Sequence, residues 1–104
     1  MKVMSEQTNL EKRTGCIASA MKIIGNKWTA LILRDLSNGP KRFRDFSSSI
    51  PTLNPRTLTL RLRDLEDQKI ITSCQKGGGY ELTKKGQALI PVLRAMADWG
   101  ERYS

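Results

Sequence analysis

Asn54-Pro55-Arg56-Thr57-Leu58-Thr59-Leu60-Arg61-Leu62-Arg63-Asp64-Leu65 carries the clearest helix start in the chain and the pattern that decides its fold. Asn54 can accept hydrogen bonds from the free donors of a first helical turn. Pro55 then takes the first helical position, where its missing N–H costs nothing. Leu58, Leu62 and Leu65 recur at i, i+4 and i+7, the inner face of a helix that should run to about Gln68. At about 100° per residue, Arg56, Leu60 and Arg63 fall on the opposite side, with Thr57, Thr59, Arg61 and Asp64 on the flanks. Such a helix can rest its leucines on its own domain while offering arginines outward, as a recognition helix in the DNA major groove must. An ordinary surface helix would show the same stripe, so the neighbouring segments have to decide. Leu60 is the odd member of the outer face. It could meet a thymine methyl, although scattered surface leucines are common.

Upstream, Phe43, Phe46 and Ile50 share one face of a short helix, and Pro51-Thr52-Leu53 reads as the turn that leads into Asn54. Short helix, turn and capped basic helix together make a helix-turn-helix. Before them, Lys27 to Leu36 is helical with a broad apolar surface (Trp28, Leu31, Ile32, Leu33, Leu36). Ser37-Asn38-Gly39-Pro40 stops it, Gly39 through a left-handed conformation and Pro40 because it cannot continue a helix. Earlier still, Ile17, Ala20, Met21 and Ile24 give helical periodicity from Thr14 until Gly25. Residues 1–13 are polar and unpatterned, and the expectation is a flexible N-terminal segment.

Downstream, Ile70 to Gln75 and Tyr80-Glu81-Leu82 are short β-prone runs around Lys76-Gly77-Gly78-Gly79, which predicts a hairpin. Lys76 at its tip could reach a phosphate or the minor groove, and a plain flexible turn is the alternative. Thr83 should cap one long last helix with Leu89, Val92, Leu93, Met96 and Trp99 on its core face. Pro91 removes the bond to the carbonyl of Gln87 and should bend it. The fold class expected is therefore mainly α with a small β-hairpin, a winged helix-turn-helix over residues 14–104.

Charge supports the same reading. The chain has 104 residues, 18 Lys and Arg, 10 Asp and Glu and a net charge of +8. Residues 41–63 hold six of the cations (Lys41, Arg42, Arg44, Arg56, Arg61, Arg63) against Asp45 alone. A concentrated basic stretch attracts polyanions, and Arg42, Arg44, Asn54, Arg56, Thr57, Thr59, Leu60, Arg61, Arg63 and Lys76 are the candidate DNA-contacting residues. With no histidine and only Cys16 and Cys74, zinc fingers and histidine-based triads are excluded, and no metal, cofactor or catalytic site is expected. No apolar run reaches the length of a membrane span and no signal peptide is evident, so the expected location is the cytoplasm without membrane association. A winged helix that binds protein as an adaptor is the alternative function. The one-sided arginine stripe argues against it.

Several separate motifs carry a family resemblance. Cys16, Ile24-Gly25-Asn26-Lys27-Trp28 and Leu31-Ile32-Leu33-Arg34-Asp35-Leu36 are followed by Gly39-Pro40-Lys41-Arg42-Phe43 and Asn54-Pro55-Arg56-Thr57-Leu58. Arg61-Leu62-Arg63-Asp64-Leu65-Glu66, Tyr80-Glu81-Leu82-Thr83-Lys84-Lys85-Gly86, Pro91-Val92-Leu93 and Trp99-Gly100-Glu101 complete the series. In this order, over residues 14–102, they resemble the HxlR-type regulators, a MarR-like group. The resemblance implies a transcriptional regulator and a homodimer joined through the first and last helices on a two-fold double-stranded operator. Ile17, Met21, Ile24, Leu89, Val92, Leu93, Met96 and Trp99 would form the interface. It also places Cys16 where some members carry a thiol that senses oxidants or electrophiles. A cap at Thr14 would favour the thiolate there; simple apolar packing of the cysteine is the other possibility. The chain departs from the family pattern in three places. Leu60 stands where a polar residue, often Gln, is usual. Lys69 replaces the Gly that usually ends the recognition helix, which implies a strained or differently shaped turn. The wing is several residues shorter and lacks a proline-rich tip.

Overall fold

The structure is a computed structural model that describes residues 10–75 and 77–104. Among the described residues, six complete helices and two strands follow in the order α1 (Thr14–Ile24), α2 (Lys27–Leu36), α3 (Phe43–Ser49), α4 (Pro55–Asp67), β1 (Ile71–Ser73), β2 (Tyr80–Leu82), α5 (Lys84–Gln87) and α6 (Ile90–Tyr103). Of the segment expected to be flexible, residues 1–9 lie outside the described residues, and 10–12 form a helical turn that leads into α1.

α2 is the central helix, in contact with α1, α3, α4, α6 and β2. Asn26 starts it, its Oδ1 accepting the N–H groups of Trp28 (2.9 Å) and Thr29 (3.1 Å). Ile32, Leu33 and Leu36 are buried, and Phe46, Ile50, Leu53, Leu58, Leu62, Leu65, Ile70 and Ile71 complete the core around them. Each such side chain removed from water contributes about 1.5–3 kcal/mol, so this one cluster fixes the relative seating of α2, α3 and α4. Asp35, also buried, accepts two bonds from Arg34 (3.1 and 3.0 Å), which in turn donates to Ser49 Oγ at 3.2 Å. That chain of bonds ties α2 to the end of α3. Gly39 has the expected left-handed conformation, φ 129°.

α3 begins where the Asp45 carboxylate accepts the Arg42 N–H at 2.8 Å. Phe46 and Ile50 point into the core as expected, but Phe43 is 38% exposed. As the first residue of the helix it sits at the rim of the core.

β1 and β2 are antiparallel, with Ile71 opposite Leu82, Thr72 opposite Glu81 and Ser73 opposite Tyr80. A third element joins them: Lys41 donates to the Tyr80 carbonyl (3.0 Å) and accepts from its N–H (2.8 Å). The wing is therefore pinned to the segment that enters α3. At the turn, Gly79 has φ 91°, and a Cβ there would lie 2.7 Å from the Lys41 carbonyl oxygen, so a side chain would break the pinning.

The end of α4 is a Schellman turn. Ile70 N–H donates to the Leu65 carbonyl and Lys69 N–H to that of Glu66, both at 2.9 Å. Lys69 takes the left-handed position with φ 61°, the strain its replacement of glycine implied. The turn is latched from the far side of the hairpin. Thr83 Oγ1 donates to the Lys69 carbonyl (2.6 Å) and Lys85 Nζ to that of Gln68 (2.8 Å). Gly86 lets α5 seat against this turn, because a Cβ on it would sit 2.1 Å from the Ile70 carbonyl oxygen.

The single bent last helix expected after Thr83 is instead two helices. Thr83 Oγ1 does cap, accepting the Gly86 N–H at 3.2 Å, but α5 ends at Gln87, with Ala88 its C-cap. Leu89 stands at the cap position of α6, and Pro91 lies in the first turn of that helix. There its missing N–H is harmless, whereas inside one continuous helix it would have collided with the Gln87 carbonyl. No residue of α6 is fully buried: Val92, Met96 and Trp99, expected on a core face, are exposed, and Leu89 and Leu93 are half-buried against the core.

Candidate nucleic-acid interface

The helix-turn-helix formed by α3, the Pro51–Leu53 turn and α4 presents one exposed helical face. Ile50 and Leu53 are both buried, which anchors the turn at each end, and Leu53 N–H donates to the Ile50 carbonyl at 3.0 Å. α4 leaves it capped as expected, with Asn54 Oδ1 accepting the Arg56 N–H at 2.7 Å and Pro55 at the first position. Leu58, Leu62 and Leu65 are buried in the core, and this alone sets the rotation of the helix. Arg56, Leu60 and Arg63 are exposed on the other side, as are Asn54 and Thr59.

The electrostatics of this face are one-sided. Among the described residues, Arg42, Arg44, Arg56 and Arg63 have no carboxylate within 4 Å; the ion pairs formed are Arg34–Asp35 at 3.0 Å and Arg61–Asp64 at 3.8 Å. Arg61 is half-buried, and its Nε is shielded from water without a partner. One terminal nitrogen lies 3.8 Å from the Asp64 carboxylate, so Arg61 differs from the arginines beside it. Thr57 is half-buried, and Thr59 turns its hydroxyl back to donate to the Pro55 carbonyl at 3.0 Å. Arg42 lies against the wing: a Cβ on Gly77 would be 3.2 Å from its guanidinium. Lys76, the expected wing contact, lies outside the described residues.

The thiols fall in different settings. Cys16 is exposed on α1 and Cys74 is half-buried just past β1. Partial desolvation raises the Cys74 thiol above its ordinary range, and the nearby Glu81 carboxylate adds to it. The expected cap at Thr14 is not formed. Arg13 occupies the cap position without a side-chain bond, and the Thr14 hydroxyl donates to the Glu11 carbonyl at 2.7 Å. The cap argument for Cys16 therefore loses its premise, because a helical turn precedes α1. Of the residues expected at a protomer interface, Ile24 is buried in the core of its own chain, while Ile17 and Met21 are exposed. No helix among the described residues is long and apolar enough to cross a membrane.

Three features escaped the sequence reading: the Asn26 cap, the Lys41–Tyr80 pairing and the latch of Thr83 and Lys85 on the α4 turn. Asn26 stands directly before the helical run, as Asn54 does, and the same signal could have found it. The other two join residues distant in sequence and leave no local mark.

This arrangement of helices and hairpin is the winged helix-turn-helix fold of transcriptional regulators. The model of the HxlR-like helix-turn-helix family matches residues 23–104, and the chain belongs to that family. It is 39% identical over 95 residues to the uncharacterized HTH-type transcriptional regulator YdeP of Bacillus subtilis strain 168, covering 86% of this chain and 74% of the relative. It is 32% identical over 90 residues to the HTH-type transcriptional regulator YodB of the same organism (82% and 80% covered). The solved structure of the reduced form of YodB superimposes with a TM-score of 0.75 at 33% identity, covering 83% of this chain and 89% of that one. The redox regulator HypR in its reduced form gives 0.75 at 33% identity, covering 83% and 90%. The chain is thus a helix-turn-helix transcriptional regulator.

Proposed function

We propose that this regulator binds specific double-stranded DNA as a homodimer on a two-fold operator, with α4 as the recognition helix of a domain spanning residues 14–104. The observation that carries the reading is the face of α4 turned away from the core. Arg56 and Arg63 stand there exposed and without acidic partners among the described residues, on a helix whose rotation is locked by three buried leucines. Free guanidinium groups in that position can pair with guanine edges or neutralise phosphates. Arg42 and Arg44 extend the cationic surface from α3. Asn54 has spent its carbonyl oxygen on the cap but keeps its amide N–H groups for a phosphate, and Thr57 and Arg61 flank the reading face. The cytoplasm is where such a protein would meet its operator.

The test is a titration of duplex binding against salt. If each of two protomers sets about four cations on phosphates, the slope of log K against log salt is roughly −7, at about −0.9 per phosphate. A slope near zero overturns the reading and would favour a protein-binding adaptor.

The solved relatives bring a regulatory element to the proposal. YodB has been seen in reduced, diamide-treated and quinone-bound forms, and HypR is described as a redox regulator. In this chain Cys16 is the exposed thiol, beside Ile17 on the helix proposed to join the protomers. Its modification by an oxidant or an electrophile would alter the seat of α1 and so the spacing of the two recognition helices. DNA affinity should change on diamide treatment of the wild type and stay constant in Cys16→Ser. An indifferent wild type, or a serine variant that responds equally, assigns Cys16 to packing.

A further inference from the structure

We infer that Leu60 is a specificity-determining residue that reads the C5-methyl group of a thymine within two base pairs of the base met by Arg56. The inference rests on the reading of α4 as a recognition helix.

Leu60 has no structural reason to be leucine. It is 51% exposed on the face opposite Leu58, Leu62 and Leu65, so the core does not use it. Lys, Arg and Gln form helices about as well, so helix propensity does not require it either. Its neighbours along the outer face are Arg56, one turn before, and Arg63, one turn after, both exposed and without acidic partners among the described residues. A single leucine between two arginines is far below the several hundred Å² of apolar surface that marks a protein interface, which removes a protein partner as its occupant.

A surface that meets DNA changes the reckoning. The major-groove floor is a mosaic of polar donors and acceptors, broken by the thymine methyl, and apolar side chains distinguish thymine there. Thr59, beside Leu60, has its hydroxyl committed to the Pro55 carbonyl at 3.0 Å and so does not offer it to a polar base edge there. The spacing also fits. One turn separates Arg56 from Leu60, about 6 Å along the axis, which is less than two base-pair steps of about 3.4 Å. A guanine-reading arginine and a methyl-reading leucine thus fall within one short block of a half-site.

The experiment begins with selection of preferred duplexes from a random pool by the wild-type protein. Thymines in the selected site are then replaced one at a time by deoxyuridine, which removes the methyl group and leaves the base-pairing edge intact. Affinity is measured for wild type, Leu60→Ala and Leu60→Gln, each first checked for an unchanged melting temperature. Wild type should lose about fourfold affinity per half-site at one thymine, the contribution of one buried methyl group. Leu60→Ala and Leu60→Gln should bind the thymine and uracil duplexes equally. Salt-dependent binding that is indifferent to every such replacement, or a loss of equal size in the Leu60 variants, overturns the role of Leu60 and leaves the DNA reading standing. Absence of salt-dependent duplex binding overturns both.

Discussion

A single exposed side chain can matter to binding and be irrelevant to folding, and Arg56 shows how the two separate. Its guanidinium is exposed and, among the described residues, has no carboxylate within 4 Å, so no ion pair of the described fold depends on it. Its backbone N–H, by contrast, is held by Asn54 Oδ1 at 2.7 Å, and any residue except proline supplies that group. Arg56→Ala should therefore leave the melting temperature unchanged while costing about 1–3 kcal/mol of binding to the preferred operator, if it reads a base. Electrophoretic shift titrations on specific and scrambled duplexes check this. Equal losses on both would make Arg56 a phosphate contact. Arg61 would be a poor choice for the same test, because its stem is half-buried, and a loss there would mix packing with contact.

At the scale of the element, the turn that ends α4 is built against the preference of its own residue. Lys69 adopts φ 61°, where a side chain costs roughly 1–2 kcal/mol relative to the right-handed region. Lys69→Gly should stabilise the protein by about 0.5–1 kcal/mol, since the relief of strain is partly offset by the greater freedom of glycine in the unfolded chain. Chemical denaturation of wild type and variant measures it, and a destabilised variant would show that the Lys69 side chain makes a compensating contact. This element also shows what a sequence can reveal. Asn54-Pro55 and the leucine spacing announce the start and rotation of α4 because caps and periodicity are local. Lys69 was legible as strain because a family pattern puts glycine there. The division of the last segment into α5 and α6 was half legible. Pro91 announced an interruption, but the break falls at Ala88–Leu89 because α5 is held separately, with Gly86 packed against the Ile70 carbonyl. The pairing of Lys41 with Tyr80 was invisible, as it joins backbone groups 39 positions apart with no side-chain signature.

For the whole molecule, the question is what covers α1 and α6. The described residues form an elongated body, 51 × 29 × 22 Å, with a radius of gyration of 15.6 Å. A compact chain of about 100 residues has a radius near 13 Å. Ile17 and Met21 on α1 and Val92, Met96, Trp99 and Tyr103 on α6 are all exposed, and α6 buries no residue completely. The ring of Trp99, 63% exposed, is tilted against that of Tyr103 with centroids 5.6 Å apart, so the two aromatics form one apolar ledge instead of sharing in the core. Soluble monomers rarely leave this much apolar surface to water, and a closed two-fold pairing is the commonest way to cover it. The same symmetry would present two copies of α4 to successive half-sites on one side of the duplex. Sedimentation at micromolar concentration should therefore show a dimer. Trp99→Glu places a charge on the ledge without touching the core. It should dissociate the dimer while leaving the helical circular dichroism of the protomer in place. DNA affinity should then fall steeply, because one protomer holds only half of the cations. A wild-type monomer, or a Trp99→Glu variant that remains dimeric and binds undiminished, would place the protomer contact elsewhere on the chain.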